Sequence, residues 1–183
     1  MDALELLRSD HDTVRDLFEQ FRSAKEADDT SRMRDLQQEI FHELEVHTAI
    51  EEEAFYPAGK EAGGEAEELI TEGVEEHHVV DVLMAEIGQL SPSDEAWAAK
   101  MTVLIENVEH HAEEEESELF PKLREAFGDA KLLELGDQLM QAKQRHQAQA
   151  ASKEELYEKA KEQGVEGRSQ MTKDELAEAV SDE

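Results

Sequence analysis

The sequence contains no cysteine. Disulfides, thiolate zinc sites and iron–sulfur clusters are therefore excluded, and any metal bound by this chain must be held by nitrogen and oxygen ligands. Cationic residues are scarce: Lys and Arg number 18 against 48 Asp and Glu, a formal net charge of -30. Such a chain repels phosphate backbones and anionic lipid surfaces, which disfavours nucleic acid and membranes as partners, and it attracts cations. No apolar run approaches a membrane span, and the opening MDALELLRSD has neither a basic start nor an apolar stretch behind it. The expectation is a soluble, cytoplasmic protein. With 38% apolar residues in a chain of 183, there is enough for one helical bundle and a short appendage.

What the chain does have is one eleven-residue stretch written twice, HTAIEEEAFYP from His47 to Pro57 and HAEEEESELFP from His111 to Pro121. Each begins with His, carries Glu four residues on with a second Glu beside it, and closes with an aromatic residue before proline. On a helix, residues four apart share a face, so His47 with Glu51, and His111 with Glu115, each aim an imidazole and a carboxylate at one point.

Four amphipathic seams frame these pairs. Leu4, Leu7, His11, Val14, Phe18 and Phe21 recur at helical spacing, with His11 in a core position. After turn and cap residues at 27 to 32, Met33, Leu36, Ile40, Leu44, His47, Glu51 and Ala54 continue the pattern, which is expected to end near Pro57 and a loop from Gly59 to Gly64. Ile70, Val74, His77, Val80, Met84 and Ile87 form the third seam, stopped by SPSD at 91 to 94. Trp97, Met101, Leu104, Val108, His111, Glu115 and Leu119 form the fourth, expected to fray towards Pro121 and Gly128. The fold expected is all-α, an antiparallel up-down four-helix bundle.

In that topology the start of the first helix, the end of the second, the start of the third and the end of the fourth lie at one end. His11, His47, Glu51, His77, His111 and Glu115 occupy those places, so at ~1.5 Å per residue their heights agree to within roughly two turns. Taken singly, a seam histidine reads as a hydrogen-bonded core residue and a run such as Glu113 to Glu116 as a solvated face. As a set they read as a metal site, because two buried carboxylates need a counter-charge that a pair of divalent cations supplies. His42, His78, His110 and His146 lie off the seams and read as surface or neighbouring residues; Tyr56 and Phe120 read as bundle-end packing, with Tyr56 an additional oxygen ligand at most.

Over about residues 1 to 127 the chain resembles the hemerythrin-like, or HHE cation-binding, domain. The matching pieces are SDHDTVRDLF, HTAIEEEAFYP, EEHHVVDVL and HHAEEEESELFP, in the order His, His-x3-Glu, His, His-x3-Glu. The resemblance implies a non-haem di-iron centre, with His11, His47, His77 and His111 as terminal ligands and Glu51 and Glu115 bridging. It also implies small ligands: oxygen, peroxide or nitric oxide, in sensing, storage or detoxification. The oxygen-carrying hemerythrins have a second histidine one turn after the helix-three ligand, where this chain has Asp81, and space their last pair one residue further. These departures point from reversible oxygen carriage towards redox or iron sensing, or towards a catalase-like or peroxidase-like enzyme. Asp81 is left as a weak ligand, a hydrogen-bond acceptor for His77 or an exposed residue.

Beyond Gly128 the composition changes. Residues 128–151 read as a fifth helix, with Leu132, Leu135, Leu139 and Met140 able to lie against the bundle, and a Gln-rich linker. Residues 152–183 read as a helix-extended-helix unit, with Ser152 capping the first helix, Gly164 at its end, and Thr172 with Glu175 capping the second. This tail resembles the N-terminal unit of Rho termination factor and its SAP-like relatives. Its Lys153, Lys159, Lys161, Arg168 and Lys173 are outnumbered by acidic residues, so the expectation is a protein contact or a structural hairpin rather than strong DNA binding. A chain in which the bundle is structural and the acidic surface does the work is the remaining class.

Overall fold

Helix boundaries follow from local chemistry. α1 (Ala3–Glu26) opens where Asp2 accepts the Glu5 amide and Glu5 accepts the Asp2 amide, a reciprocal capping box. α2 (Thr30–Ile50) begins after Asp29, whose carboxylate takes the Arg32 amide at 3.0 Å. A computed structural model describes residues 1–165, 167–168 and 171–181, without the side chains of residues 151, 152, 154, 162 and 181.

The prolines of the two repeats, Pro57 and Pro121, do not stop the helical path at once: it ends near Pro57, at Lys60, but runs on well past Pro121. A proline ring collides with the carbonyl four residues back and lacks the amide that would bond to it; here those carbonyls belong to Glu53 and Ser117. The chain widens by one residue ahead of each proline. Glu51–Phe55 and Glu115–Leu119 are π-helical turns, each closed by an amide five residues on, Tyr56 to the Glu51 carbonyl and Phe120 to that of Glu115. The helical path then continues, first as the short α3 (Tyr56–Lys60) and a turn at Glu61 to Gly64. α4 (Glu65–Ile87) and α5 (Glu95–Glu114) follow. After the second π turn comes α6 (Phe120–Glu162), which bends at Gly128, where φ is 68°.

Met1–Ala142 and Lys143–Glu183 are separate compact units. In the first, α1, α2, α4 and α5 make an antiparallel up-down four-helix bundle, α1 against α2 and α4 against α5. The part of α6 carrying Leu132, Leu135 and Leu139 is the fifth helix; all three are buried among Leu4, Leu7, Ile50 and Phe120. Met140, expected beside them, is instead 39% exposed. Gly136 is required by close approach, because a Cβ there would stand 2.6 Å from the Met1 carbonyl oxygen and 2.9 Å from the Ala3 nitrogen.

The apolar core is in two layers. One is built on Phe18, Phe21, Leu36, Trp97 and Met101, the other on Leu7, Ile50, Phe55, Ile70 and Phe120. Each buried Leu, Ile or Phe contributes about 1.5–3 kcal/mol, which offsets the polar layer between them. His11 sits between Leu7 and Val14, and His47 between Leu44 and Ile50, so the same helices that carry the apolar layers carry the histidines.

In the second unit, Gly164 ends the helix with φ 72°, the Gly164 amide bonding the Lys161 carbonyl and the Val165 amide that of Ala160, a Schellman motif. Thr172 and Glu175 form the expected capping box ahead of α7 (Lys173–Ser181). The Gln-rich segment expected as a linker, and the backbone at Ser152 expected as a helix start, fall inside the helical run to Glu162; the Ser152 side chain lies outside those described. Among the described residues no helix is long and apolar enough to cross a membrane.

Candidate metal centre

The structure brings all six expected residues together, each buried. His11 comes from α1, His47 from the last turn of α2, His77 from α4 and His111 from the last turn of α5, while Glu51 and Glu115 open the two π turns. Their ligand atoms fall into two groups, His11, His47, Glu51 and Glu115, and Glu51, His77 and His111; within each group the atoms lie no more than 4.8 Å apart. Glu51 belongs to both. Its Oε1 is 3.3 Å from His47 Nε2 and its Oε2 is 3.2 Å from His77 Nε2. Glu115 Oε2 is 3.4 Å from His11 Nε2 and 4.0 Å from His111 Nε2.

Each ring also has a carboxylate on its other nitrogen. His11 Nδ1 donates to Glu116 at 2.9 Å, His77 Nδ1 to Glu52 at 3.0 Å, and His111 Nδ1 to Glu76 at 2.6 Å. His47 Nδ1 has Asp10 Oδ2 at 3.9 Å. A carboxylate behind an imidazole fixes the proton on Nδ1 and leaves the Nε2 lone pair pointing inward. The four carboxylates were missed from sequence as participants, although each is the chain neighbour of an expected ligand or of its helix partner. Glu52, Glu116, Asp10 and Glu76 directly adjoin Glu51, Glu115, His11 and His77. One residue on a helix turns about 100°, which is enough to move a side chain from facing the interior to backing the ring from the adjacent helix.

That arrangement calls for a positive charge between the facing rings, a proton or a metal ion. His11 and His47 face each other Nε2 to Nε2 at 3.1 Å, and His77 and His111 do so at 3.2 Å. Two lone pairs cannot share that space unless a proton or a positive ion lies there. Both oxygens of Glu51 and Oε2 of Glu115 are buried without a hydrogen bond of ordinary geometry. The orphaned atoms are inward-facing nitrogens and carboxylate oxygens, the donor set that suits a transition metal, so the residues fit a bound metal ion.

Electrostatics says the same. Burial, then the neighbouring Glu115, pushes Glu51 well above its ordinary 4.5, whereas Glu115, despite burial, is held down at about 2 by His11, His111 and His47. Two carboxylates in one dry layer do not both ionise unaided. Burial lowers His47 to about 4 and lowers His77, keeping both neutral and able to ligate; His11 is raised because Glu115 and Glu116 outweigh burial.

Tyr56 is also in this layer. Its hydroxyl donates to Glu115 Oε1 at 3.0 Å and lies 3.3 Å from His77 Nε2 and 3.4 Å from His111 Nε2. Burial and the carboxylates of Glu115 and Glu51 raise its pKa well above 10.0, so the phenol keeps its proton. The π turn explains why the seam did not reveal it: with one residue inserted, Ala54 is only half-buried and the inward places pass to Phe55 and Tyr56. Asp81 is exposed, and Glu52, not Asp81, backs His77. His78 and His110 are exposed, and His42 and His146 half-buried. Against the histidine layer lies a cavity of about 20 Å³, whose walls include Val14, Phe18, Leu44, Val80 and Val108.

Comparison with known proteins bears on the family and the fold. Residues 149–183 match the Rho termination factor N-terminal domain. An uncharacterised protein of Mycobacterium tuberculosis, Rv2633c, is 33% identical over 144 residues, 76% of this chain and 83% of that protein. A DNA nickase of Nostoc is 27% identical over 124 residues, 68% of this chain but 34% of that protein, so the chain spans about a third of its length. The crystal structure of a hemerythrin HHE cation binding domain-containing protein from Mycobacterium kansasii, an Rv2633c homologue, covers 98% of this chain and 99% of its own with a TM-score of 0.70 at 24% identity, which is a likeness of fold. Residues 2–123 match the hemerythrin HHE cation binding domain, and with two thirds of its length in that match the chain belongs to the hemerythrin HHE family.

Proposed function

We propose that the chain holds two iron ions, one between His11, His47, Glu51 and Glu115 and one between Glu51, His77 and His111, and uses them to handle or sense a small oxidant or gas. The observation that carries this reading is the sharing of Glu51 by two groups of inward-facing ligands. A bound iron pair would supply one-electron and two-electron redox chemistry and coordination positions open to oxygen, peroxide or nitric oxide.

The protein's own contribution is positional. Glu116, Glu52 and Glu76 hold the His11, His77 and His111 rings by their Nδ1 protons, and Arg15, 2.8 Å from Glu116, steadies one of these props. The largely apolar cavity beside the rings has room for one or two water-sized groups, the size of a diatomic molecule, since one such sphere takes ~10–15 Å³. Tyr56 keeps a proton at Oη, in reach of Glu115. A phenol held in its O–H form is a fixed hydrogen-bond donor, which suits an enzymatic variant of the same function, peroxide disproportionation, in which two hydrogen peroxides yield two waters and one oxygen. We assign residues 1–127 to the iron-binding bundle, 128–151 to a connecting helix and 152–183 to a tethering or protein-contact unit whose charge disfavours nucleic acid.

Elemental analysis of protein purified without chelators, with a visible spectrum, tests the reading. About two irons per chain with oxo-bridged ferric absorption is the expected result; a folded protein that takes up no ferrous iron would refute it. Rapid gas release from peroxide, lost in Glu115→Ala, would make the protein an enzyme, and slow stoichiometric oxidation a sensor or carrier.

A further inference from the structure

α5 carries a second His-x3-Glu pair one residue ahead of the first. His110 and Glu114 repeat the spacing of His111 and Glu115, and a step of one residue turns them about 100° round the helix, away from the core. His110 is exposed and Glu114 half-buried. The other copy of the repeat has no such pair, because Val46 and Ile50 stand at those positions. Glu76 of α4 completes the group: ligand atoms of Glu76, His110 and Glu114 lie within 4.8 Å of one another.

Glu76 also links this group to the interior, since its Oε2 takes the His111 Nδ1 proton at 2.6 Å. Between the two lies a small cleft lined by Gly73, Glu76, Glu114, Tyr56, His111 and Glu115. It runs from two of the outer carboxylates to buried Glu115, whose Oε2 has no hydrogen bond of ordinary geometry. Gly73 leaves the cleft open: a Cβ there would stand 3.0 Å from Tyr56 Oη and 3.3 Å from His111 Cε1.

We propose that Glu76, His110 and Glu114 form an outer divalent-cation site that captures a metal ion and passes it along this cleft to the buried centre. The inference rests on the buried group being a metal centre. One imidazole and two carboxylates suit a divalent transition ion. Their partial exposure suits release as well as capture, and the strongly negative chain concentrates cations at such a mouth.

The test follows the loading of metal-free protein with cobalt(II) alone, by the rise of its visible absorption and by the final metal content of the buried centre, counted after gel filtration has stripped the exposed site. His110→Ala/Glu114→Gln should load roughly tenfold more slowly than wild type, the scale on which local charge and capture alter association rates, and reach the same final content. Glu45→Gln, which removes an exposed acidic charge elsewhere on the bundle, should load at the wild-type rate. Equal rates in the double variant and wild type, or equal slowing in Glu45→Gln, would overturn the outer site while leaving the buried centre intact. A lower final content in the double variant would also overturn it, by placing these residues in the buried centre. Failure of wild type itself to take up cobalt would overturn both readings.

Discussion

Glu51→Gln separates what the buried layer costs from what it is for. Glu51 is 0% exposed and neither of its oxygens has a hydrogen bond of ordinary geometry. Burial and Glu115 raise its pKa well above 4.5, so the folded metal-free protein keeps a proton that the unfolded chain releases. The stability this proton gives is full below pH 4.5 and is lost as pH rises towards the folded pKa. Over that window the metal-free wild type should lose about 1.4 kcal/mol per pH unit relative to Glu51→Gln, whose amide does not titrate. Because 1 kcal/mol moves Tm by ~2–4 °C in a domain of this size, the gap should change by about 3–6 °C per pH unit. The buried amide adds a constant offset, so the slope is the quantity to read. With metal bound the preference turns: wild type should gain about 4 kcal/mol at a metal concentration a thousandfold above Kd, and the variant, lacking the shared carboxylate, should gain much less. Thermal melts of both proteins, metal-free and metal-loaded, between about pH 5 and 8 supply every quantity needed. A gap between the metal-free proteins that does not change with pH would refute the claim that Glu51 carries the titration, and equal metal-induced gains would refute its place in the centre.

His47→Ala and His111→Ala should each lower metal content and the Tm of the loaded protein, whereas His42→Ala and His146→Ala should alter neither, as checked by elemental analysis and melts. Glu52→Gln and Glu116→Gln, which remove the props behind His77 and His11, should still bind metal at saturation but with roughly 10–100-fold weaker affinity in a chelator competition. His47 is depressed from 6.5 to about 4, so it contributes stability to the metal-free protein that is present above pH 6.5 and lost as pH falls through about 4. This amounts to about 3 kcal/mol; acid unfolding of His47→Gln should be correspondingly shallower. Gly136→Ala drives a methyl onto the backbone of Met1 and Ala3 and should lower stability by about 1–3 kcal/mol in denaturant titration.

The sequence by itself determined the helices and their inward faces. The spacing of Leu7, His11, Val14 and Phe18, or of Leu44, His47 and Glu51, is a one-dimensional record of which side of a helix meets the core, and it survives because burial is decided face by face. The cap at Thr172 and the helix end at Gly164 were legible for a similar reason, since both act within a few residues of chain. Tertiary structure decided what lies across from each residue. That Glu116 of the second π turn backs His11 of α1, and Glu76 of α4 backs His111 of α5, depends on helix rotation and height, which no local spacing encodes. The π turns are intermediate: Pro57 and Pro121 announced a disturbance, but only the packing of Phe55, Tyr56 and Phe120 into the apolar layer made it a one-residue widening that continues the helix and turns Tyr56 inward, rather than an end.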